Sequence, residues 1–466
     1  MENNINELEN KIVESLKKDS ISRNKLLFNF IKMISKFKSN EIIAINGGWG
    51  TGKTIFAKQM ELLINYANNI DENGEYKNEE LKTNNLLNIK KLTKYEKEDI
   101  NNLLNENEIR SIFDGNQTNC LYFNAWEYDN NNSPILSIIY KLINDFPYLC
   151  SKFIETKKNA FLKITDIISA VLTKGTVKIT DYSDSNDLVE QIITSEELKE
   201  RINDIFENIL AENSNKMILI IDELDRCKPT YTIKLLEEIK HFLNNENIII
   251  VLTTNIYQLS NTIKNIYGNN FDIDEYLDKI IDLTISLKPI DKKQYIKSLE
   301  LDNYGNDDYW FSNSIMAYVY YRKLEMRSIN RFIRLMSFYE NYIISSSCNR
   351  KNIYYLFEYI FLPYCLGEQI FNSNNYNNFI KGDGFEEFYN YISSNEDLKT
   401  IIDECIFNST RKEERNIEEE IKKLYNYIYN SNDENTNGKI GNEYFNSNDK
   451  KYYLDLCTML NDFNLN

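Results

Sequence analysis

The sequence contains little of what a metal-bound or disulfide-linked fold requires. Histidine occurs once, as His241, and the seven cysteines are scattered without a C-x-x-C pair. Zinc sites draw on closely spaced Cys and His ligands, so this scatter argues against a zinc site. Reduced, mostly buried thiols in the cytoplasm agree best with the pattern.

Long apolar runs are also missing. Residues 1–18 mix acidic and basic side chains without an apolar segment, so we expect no signal peptide. Outside the predicted strands, the most apolar stretch is 167–172, far shorter than the roughly 20 residues that span a bilayer. We therefore expect a cytoplasmic protein without a transmembrane segment, while contact with a membrane surface stays open.

Positive charge is in deficit. Lys and Arg number 54 against 71 Asp and Glu, which gives a formal net charge of −17. A broad nucleic-acid-binding surface needs clustered cations, so none is expected, although a local basic groove stays open. With 466 residues, 42% hydrophobic and 27% charged, the chain has the composition of a globular protein of two or three domains.

Short apolar runs alternate with segments of helical periodicity between residues 41 and 287. Apolar runs without polar alternation are typical of strands buried on both faces, as in a parallel sheet covered by helices. The predicted strands are 41–46, 120–124, 217–221, 247–252 and 281–287. We therefore predict an α/β fold with about five parallel strands, followed by an all-α lid and a C-terminal helical region. The predicted parts are an N-terminal helix at 1–24, a core at 25–290 with inserts at about 68–118 and 151–200, a lid at 291–345 and a helical domain at 346–466.

A glycine-rich segment joins the first predicted strand to an amphipathic helix. It fits the pattern G-x-x-x-x-G-K-[ST] of a phosphate-binding P-loop and consists of Gly47, Gly48, Trp49, Gly50, Thr51, Gly52, Lys53 and Thr54. We expect Gly47 and Gly52 to free the backbone, so that loop N–H groups and the helix N-terminus surround an anion. Lys53 would reach the β- and γ-phosphates, and the Thr54 hydroxyl would ligate Mg²⁺. For Trp49, packing beneath the loop is favoured over contact with the nucleotide.

Acidic side chains follow the third predicted strand. Asp222 at the strand end would hold Mg²⁺ through water, and Glu223 would polarise a water molecule for attack on the γ-phosphate. Glu223 could instead cap the following helix. Asp225 has two open interpretations, a magnesium-side ligand or a salt-bridge partner of Arg226. The Asp-Glu pair favours hydrolysis over binding alone.

Polar residues also end the fourth predicted strand, where Thr254 and Asn255 are candidates to sense the γ-phosphate and orient water. The alternative is that Asn255 caps the next helix, since Asn is a favoured N-cap residue. The sequence has no N-K-x-D segment of the kind that selects guanine, so ATP is the expected nucleotide by default.

Three segments together resemble the KAP family of P-loop NTPases. The glycine-rich segment is similar to the family's motif G-x-W-G-x-G-K-[ST]. The segment Phe123–Tyr128 resembles the family's F-N-A-W-x-Y, and the segment Ile221–Pro229 resembles its D-D-L-D-R-C-x-P. The stretch Leu235–Phe242 also resembles the family's L-x-x-I-K-x-F helix. The first motif is generic, whereas the second and third together are specific, and the likeness covers roughly residues 20–345.

The resemblance implies an additional-strand fold related to the signal-transduction ATPases. In that fold a further strand separates the P-loop strand from the acidic strand. The resemblance also implies ATP bound by Lys53 and Thr54, Mg²⁺ at Asp222 and hydrolysis aided by Glu223.

Further residues match family positions. At Trp126 we expect a buried aromatic ring that anchors the second strand, whereas Cys227 has no derived role. Arg226 could contact phosphate from a neighbouring molecule or brace the acidic loop. The segment 326–334 resembles the family's lid helix, so Arg327 or Arg331 could approach the γ-phosphate, with a solvated basic face as the alternative.

The chain also departs from the family pattern. Many members carry membrane helices between the second strand and the acidic strand, but here that region offers only residues 161–172, so we expect a soluble branch. Glu223 replaces the second aspartate, a change that suits a catalytic base.

The resemblance associates bacterial members with phage exclusion or with signalling at membranes, and anti-phage defence is the expected biology. The leading hypothesis is an ATP-driven switch that engages a protein partner or self-assembles through its helical regions. The alternatives are an ATP-binding scaffold with little turnover and a P-loop kinase.

Overall fold

The chain divides into two compact units in the computed structural model, Met1–Asp291 and Lys292–Asn466. The structure describes residues 11–37, 39–68, 118–131, 133–146, 216–242, 245–299, 308–345, 352–407, 416–430 and 438–458. The predicted inserts at 68–118 and 151–200 lie almost wholly outside these residues. The finer division into a lid at 291–345 and a domain at 346–466 stays a prediction.

The first unit alternates strands with helices. Its described elements in chain order are α1 (residues 11–17), α2 (Asn24–Ser35), β1 (Ile42–Asn46), α3 (Lys53–Asn68), β2 (Thr118–Asn124), a 3₁₀ turn (Ala125–Tyr128), α4 (Pro134–Asp145), β3 (Lys216–Asp222), a second 3₁₀ turn (Leu224–Arg226), α5 (Pro229–Phe242), β4 (Ile248–Thr254), α6 (Ile256–Tyr267), α7 (Ile273–Asp278) and β5 (Leu283–Ser286).

The five strands form one parallel sheet in the order β2-β3-β4-β1-β5. One strand, β4, lies between the strand that precedes the glycine-rich segment and the strand that ends in the acidic residues. This is the order of an additional-strand NTPase, and it confirms the predicted fold class.

The strands are apolar throughout because helices cover both faces of the sheet. Successive side chains of a strand point to opposite faces. Ile42 and Ala44 of β1 join a core that includes residues of α4 to α7, whereas Ile43 and Ile45 join a second core with α1, α2 and α3. Full burial of each isoleucine side chain stabilises the fold by roughly 1.5–3 kcal/mol.

Each strand ends in a polar residue. The five are Asn46, Asn124, Asp222, Thr254 and Ser286. Register pairs Asn124 with Asp222 and Asn46 with Thr254, so these ends meet at one edge of the sheet. In parallel sheets this carboxyl edge is where ligands bind.

The second unit is mainly helical, as predicted. Its described elements are α8 (Lys292–Ser298), α9 (Asp308–Tyr321), α10 (Met326–Ser345), α11 (Asn352–Leu356), a π-helical turn (Phe357–Phe361), α12 (Leu362–Phe371), α13 (Ser373–Ile380), α14 (Phe385–Ser393), α15 (Glu396–Phe407), α16 (Ile417–Tyr429), β6 (Gly438–Ile440), β7 (Glu443–Phe445) and α17 (Ser447–Thr458). The expectation of helices to the end of the chain missed the β6–β7 hairpin. Its two strands are joined by Gly441 and Asn442, and Gly441 has the positive φ of 52° that such a tight turn favours.

A buried ion pair links α9 to α12 within the second unit. Glu368 is fully buried, and its Oε1 accepts hydrogen bonds from the Tyr318 hydroxyl at 3.0 Å and from Arg322 Nε at 2.6 Å. Arg322 also donates to the second carboxylate oxygen. A buried carboxylate is tolerated when, as here, both of its oxygens are hydrogen-bonded and a cation balances its charge.

Within the part of the chain that the structure describes, no helix combines the length and the apolar character needed to cross a membrane.

Candidate nucleotide-binding site

The glycine-rich segment forms the turn between β1 and α3. Gly50 and Gly52 have φ values of 73° and 83°, in the left-handed region that other residues avoid. Gly47 does not, and the expectation that its backbone needs this freedom is wrong. Its constraint is spatial, because an added Cβ would lie 2.6 Å from Thr51 Oγ1.

Lys53, at the start of α3, turns its ammonium group back to the loop. Its Nζ donates to the carbonyl oxygens of Gly47 at 2.8 Å and Gly48 at 3.1 Å. Burial lowers the pKa of Lys53, while Asp225 and Asp222 act in the opposite direction. A phosphate group in the loop would offer the ammonium stronger, charged acceptors than these carbonyls.

The Asp222 carboxylate is held by three donors and is almost fully buried. Its Oδ1 accepts from the Thr253 hydroxyl at 2.5 Å and from the Glu223 N–H at 2.9 Å, and its Oδ2 accepts from the Tyr122 hydroxyl at 2.9 Å. Tyr122 and Thr253 come from β2 and β4, the strands on either side of β3. Sequence reasoning missed both, since each is an inconspicuous residue within an apolar strand.

These contacts bear on the expected Mg²⁺ site. A carboxylate has about four acceptor positions, and three of those of Asp222 are occupied. One remains, and it can accept a hydrogen bond from a water molecule that would in turn hold the metal. The Thr54 hydroxyl is exposed, and as an oxygen donor it suits the hard Mg²⁺ ion. Asp222 and Thr54 therefore fit a bound Mg²⁺ ion.

Glu223 follows β3 in a strained conformation. Its φ of 60° and ψ of 26° are left-handed, which is uncommon outside glycine. Oε1 lies 3.5 Å from Thr54 Oγ1, and Oε2 lies 2.6 Å from Arg226 Nε. Burial raises the pKa of Glu223, Asp222 raises it further, and Arg226 lowers it. The side chain makes no helix-cap hydrogen bond, so the capping interpretation is wrong.

Asp225 joins the glycine-rich loop to the end of β4. Its carboxylate accepts from Trp49 Nε1 at 2.9 Å and from Thr254 Oγ1 at 3.4 Å. The predicted alternative of a salt bridge to Arg226 is wrong, because Arg226 pairs with Glu223. Trp49 is 55% exposed, so it does not pack beneath the loop as expected.

Trp126 is 52% exposed, and the expectation of a buried anchor is wrong. The anchoring is done by its neighbour Phe123, which is fully buried and stacks on Tyr128 with ring centres 4.9 Å apart. Trp126 lies on the 3₁₀ turn after β2, where its ring faces the Arg226 guanidinium at 5.7 Å. Cys227 is buried, and its Sγ lies 3.6 Å from the Glu223 carbonyl oxygen.

Asn255 begins α6 as its N-cap, accepting a hydrogen bond from the Gln258 N–H at 3.4 Å. This is the capping alternative, and a sensor role for Asn255 stays a prediction. Arg327 and Arg331 are exposed on α10 of the second unit, and their approach to a nucleotide likewise stays a prediction.

Arg23 contacts the loop from outside the motifs. It is almost fully buried, and its guanidinium donates to the Thr51 carbonyl at 2.5 Å and to the Lys288 carbonyl. Burial lowers the pKa of Arg23 to about 10, so the group stays charged at neutral pH. Sequence reasoning missed Arg23 because it precedes the first predicted strand and belongs to no motif.

The family assignment rests on this sheet and loop together with one comparison. The model of the KAP family P-loop domain matches residues 23–343, a span that contains the whole site and well over half of the chain. No curated protein matches the chain. The match indicates nucleotide binding, and the chain belongs to the KAP family of P-loop NTPases.

Proposed function

We propose that the chain binds ATP with Mg²⁺ and hydrolyses it to ADP and phosphate. The observation that carries this proposal is the position of Glu223, whose Oε1 lies 3.5 Å from the Thr54 hydroxyl across the mouth of the P-loop. A carboxylate at this point can take a proton from a water molecule that attacks the γ-phosphate.

Thr54 would hold Mg²⁺ directly, and Asp222 would hold it through water. The ion would neutralise charge on the β- and γ-phosphates. Lys53 would exchange the carbonyls of Gly47 and Gly48 for phosphate oxygens and add a further positive charge. ATP is the proposed nucleotide by default, because the chain lacks an N-K-x-D segment of the kind that selects guanine.

The proposed role of hydrolysis is to reset a switch. ATP would favour one arrangement of the helical region and ADP another, with Arg327 or Arg331 as candidate sensors and a protein partner or a second copy as the target. Anti-phage defence in the cytoplasm is the proposed setting, and it rests on the family alone.

The test is steady-state ATP turnover of the full chain with Mg²⁺, compared between the wild type and Glu223→Gln. We expect the variant to bind ATP normally and to lose about 100-fold or more in turnover, the range over which a general base contributes. Glu246→Gln is the matched control, since Glu246 is exposed in the loop before β4 and the substitution removes the same charge.

Other outcomes separate the competing functions. A wild type that binds ATP without turnover would favour the scaffold. Transfer of the γ-phosphate to an added acceptor instead of water would favour a kinase. GTP competing as well as ATP would remove the stated base preference.

A further inference from the structure

Arg226 lies between two side chains that follow neighbouring strands. Its Nε is 2.6 Å from Glu223 Oε2, and its guanidinium carbon is 5.7 Å from the centre of the Trp126 ring. Strands β2 and β3 pair with Asn124 opposite Asp222, so the turns that follow them are neighbours. The guanidinium therefore contacts both a carboxylate and an aromatic ring. The 5.7 Å between the guanidinium carbon and the ring centre is a distance at which cation–π attraction acts.

The backbone reinforces this contact. The Glu223 N–H donates to Asp222 Oδ1 at 2.9 Å, and its carbonyl oxygen accepts from the Arg226 N–H at 3.1 Å. The 3₁₀ turn thus reverses the chain direction and brings Arg226 next to Glu223, three residues before it. A left-handed residue other than glycine costs on the order of 1–2 kcal/mol, and such strain persists only where surrounding contacts hold it.

The two oxygens of Glu223 consequently have different surroundings. Oε2 is occupied by the short contact with Arg226 Nε. Oε1 faces Thr54 Oγ1 at 3.5 Å, too long for a strong hydrogen bond, and its lone pairs stay available. The available oxygen is thus the one on the side of the phosphate loop.

We propose that Arg226 is a positioning residue for hydrolysis: it holds Glu223 Oε2 so that Oε1 is aimed at the attacking water, and the exposed Trp126 ring holds the guanidinium. The inference rests on the proposed hydrolysis. In that step the water oxygen bonds to the γ-phosphorus, and the bond to the β,γ-bridging oxygen breaks with its electron pair left on ADP. The proton of the water passes to Oε1 and then to the released phosphate.

Arginine suits this task better than lysine. Its planar guanidinium presents Nε to the carboxylate while its face remains open to an aromatic ring. Lysine would keep the charge but would lose the fixed direction of the donor. This difference supplies a graded test.

The experiment measures kcat and KM for Mg-ATP, and the affinity for a non-hydrolysable ATP analogue, in the full chain. Arg226→Gln should lower kcat about 10- to 100-fold, as expected for misplacement of a catalytic group, while KM and analogue affinity change less than about twofold. Arg226→Lys should recover part of the loss. Trp126→Leu should lower kcat about two- to fivefold, the value of an exposed cation–π contact.

A double-mutant cycle with Glu223→Gln shows whether Arg226 acts through Glu223. Under single-turnover conditions, Arg226→Gln should have no further effect in the Glu223→Gln background. Arg334→Gln, which removes an exposed arginine from α10, is the control for loss of positive charge.

The inference is overturned if Arg226→Gln keeps the wild-type kcat, raises it, or lowers it by the same factor with and without Glu223. The last result would mean that Arg226 acts directly on a phosphate. If Arg226→Gln does not fold, Arg226→Lys and Trp126→Leu decide, and wild-type kcat in both overturns the inference. A wild type with no turnover above that of Glu223→Gln refutes the proposed hydrolysis itself and the inference with it.

Discussion

Each unit of this chain contains a glutamate paired with an arginine, and the two pairs differ in what they leave open. In the second unit, both oxygens of Glu368 are bound, by Arg322 and Tyr318, and the carboxylate has no exposed surface. In the first unit, Arg226 binds one oxygen of Glu223, and the side chain remains 18% exposed.

The number of available carboxylate oxygens distinguishes an ion pair that only stabilises the fold from one whose carboxylate can act as a base. A carboxylate whose two oxygens are both bound and that has no exposed surface contributes to stability only through its partners, and removing one partner leaves an uncompensated buried charge. A carboxylate with one available oxygen at the carboxyl edge of a parallel sheet can accept a proton from a ligand. The predictions below test this contrast, from the largest expected effect to the smallest.

Glu368→Gln should destabilise the second unit by about 3 kcal/mol, because Arg322 would lose its charged partner. Hydrogen exchange followed by mass spectrometry should show faster exchange in α9 and α12. The comparison variant is Glu223→Gln, which should leave exchange in both helices unchanged. Equal rates of hydrogen exchange in Glu368→Gln and the wild type would contradict the structural role assigned to the buried pair.

Lys53→Met should weaken Mg-ATP binding about 10- to 100-fold, since one or two charge-assisted hydrogen bonds to phosphate would be lost. Isothermal titration calorimetry on the full chain measures the affinity. Lys279→Met is the control, because Lys279 is largely exposed and pairs with Glu275 on α7. If Lys53→Met bound Mg-ATP as tightly as the wild type, the phosphates would not be bound by Lys53.

Two glycines of the loop should respond differently to the same substitution. Gly52→Ala puts a side chain at a φ of 83° and should cost on the order of 1–2 kcal/mol in loop conformation, seen as roughly 5- to 30-fold weaker Mg-ATP binding. Gly48→Ala should be nearly neutral, because its Cβ would meet only Thr51 Cγ2 at an ordinary 3.7 Å. Similar losses in both variants would contradict the described loop.

Trp49→Phe should weaken Mg-ATP binding about two- to fivefold. The substitution removes the indole N–H that Asp225 accepts, a loss on the order of 0.5–1 kcal/mol. Tyr257→Phe removes a hydroxyl from a ring that is 71% exposed and serves as the control. An effect above tenfold would instead indicate that Trp49 touches the nucleotide.

The sheet and the loop were predictable because their signals are local. Apolar runs of strand length, glycines at fixed spacing and an Asp-Glu pair after a strand each depend on a few adjacent residues. The carboxyl ends of parallel strands then meet by geometry, which brought Asp222 and Thr54 to one edge without further information.

Several of the errors concern contacts between segments far apart in the chain. The partners of Asp225 and the exposure of Trp126 depend on how the turns after β2 and β3 approach other parts of the first unit. Sequence patterns contain no signal for such approaches. Tyr122 is an instructive case, because an aromatic residue inside a strand usually indicates core, yet its hydroxyl holds Asp222.

Arg23 sets a distance constraint between remote parts of the first unit. One rigid guanidinium plane binds the carbonyls of both Thr51 and Lys288, so these two carbonyls cannot separate without losing a hydrogen bond. Thr51 belongs to the phosphate loop, and Lys288 lies just before Asp291, where the first unit ends. A rearrangement of the phosphate loop when a nucleotide binds or leaves would therefore move or break the hydrogen bond at Lys288. Lys288 belongs to the segment of chain that leads out of the first unit.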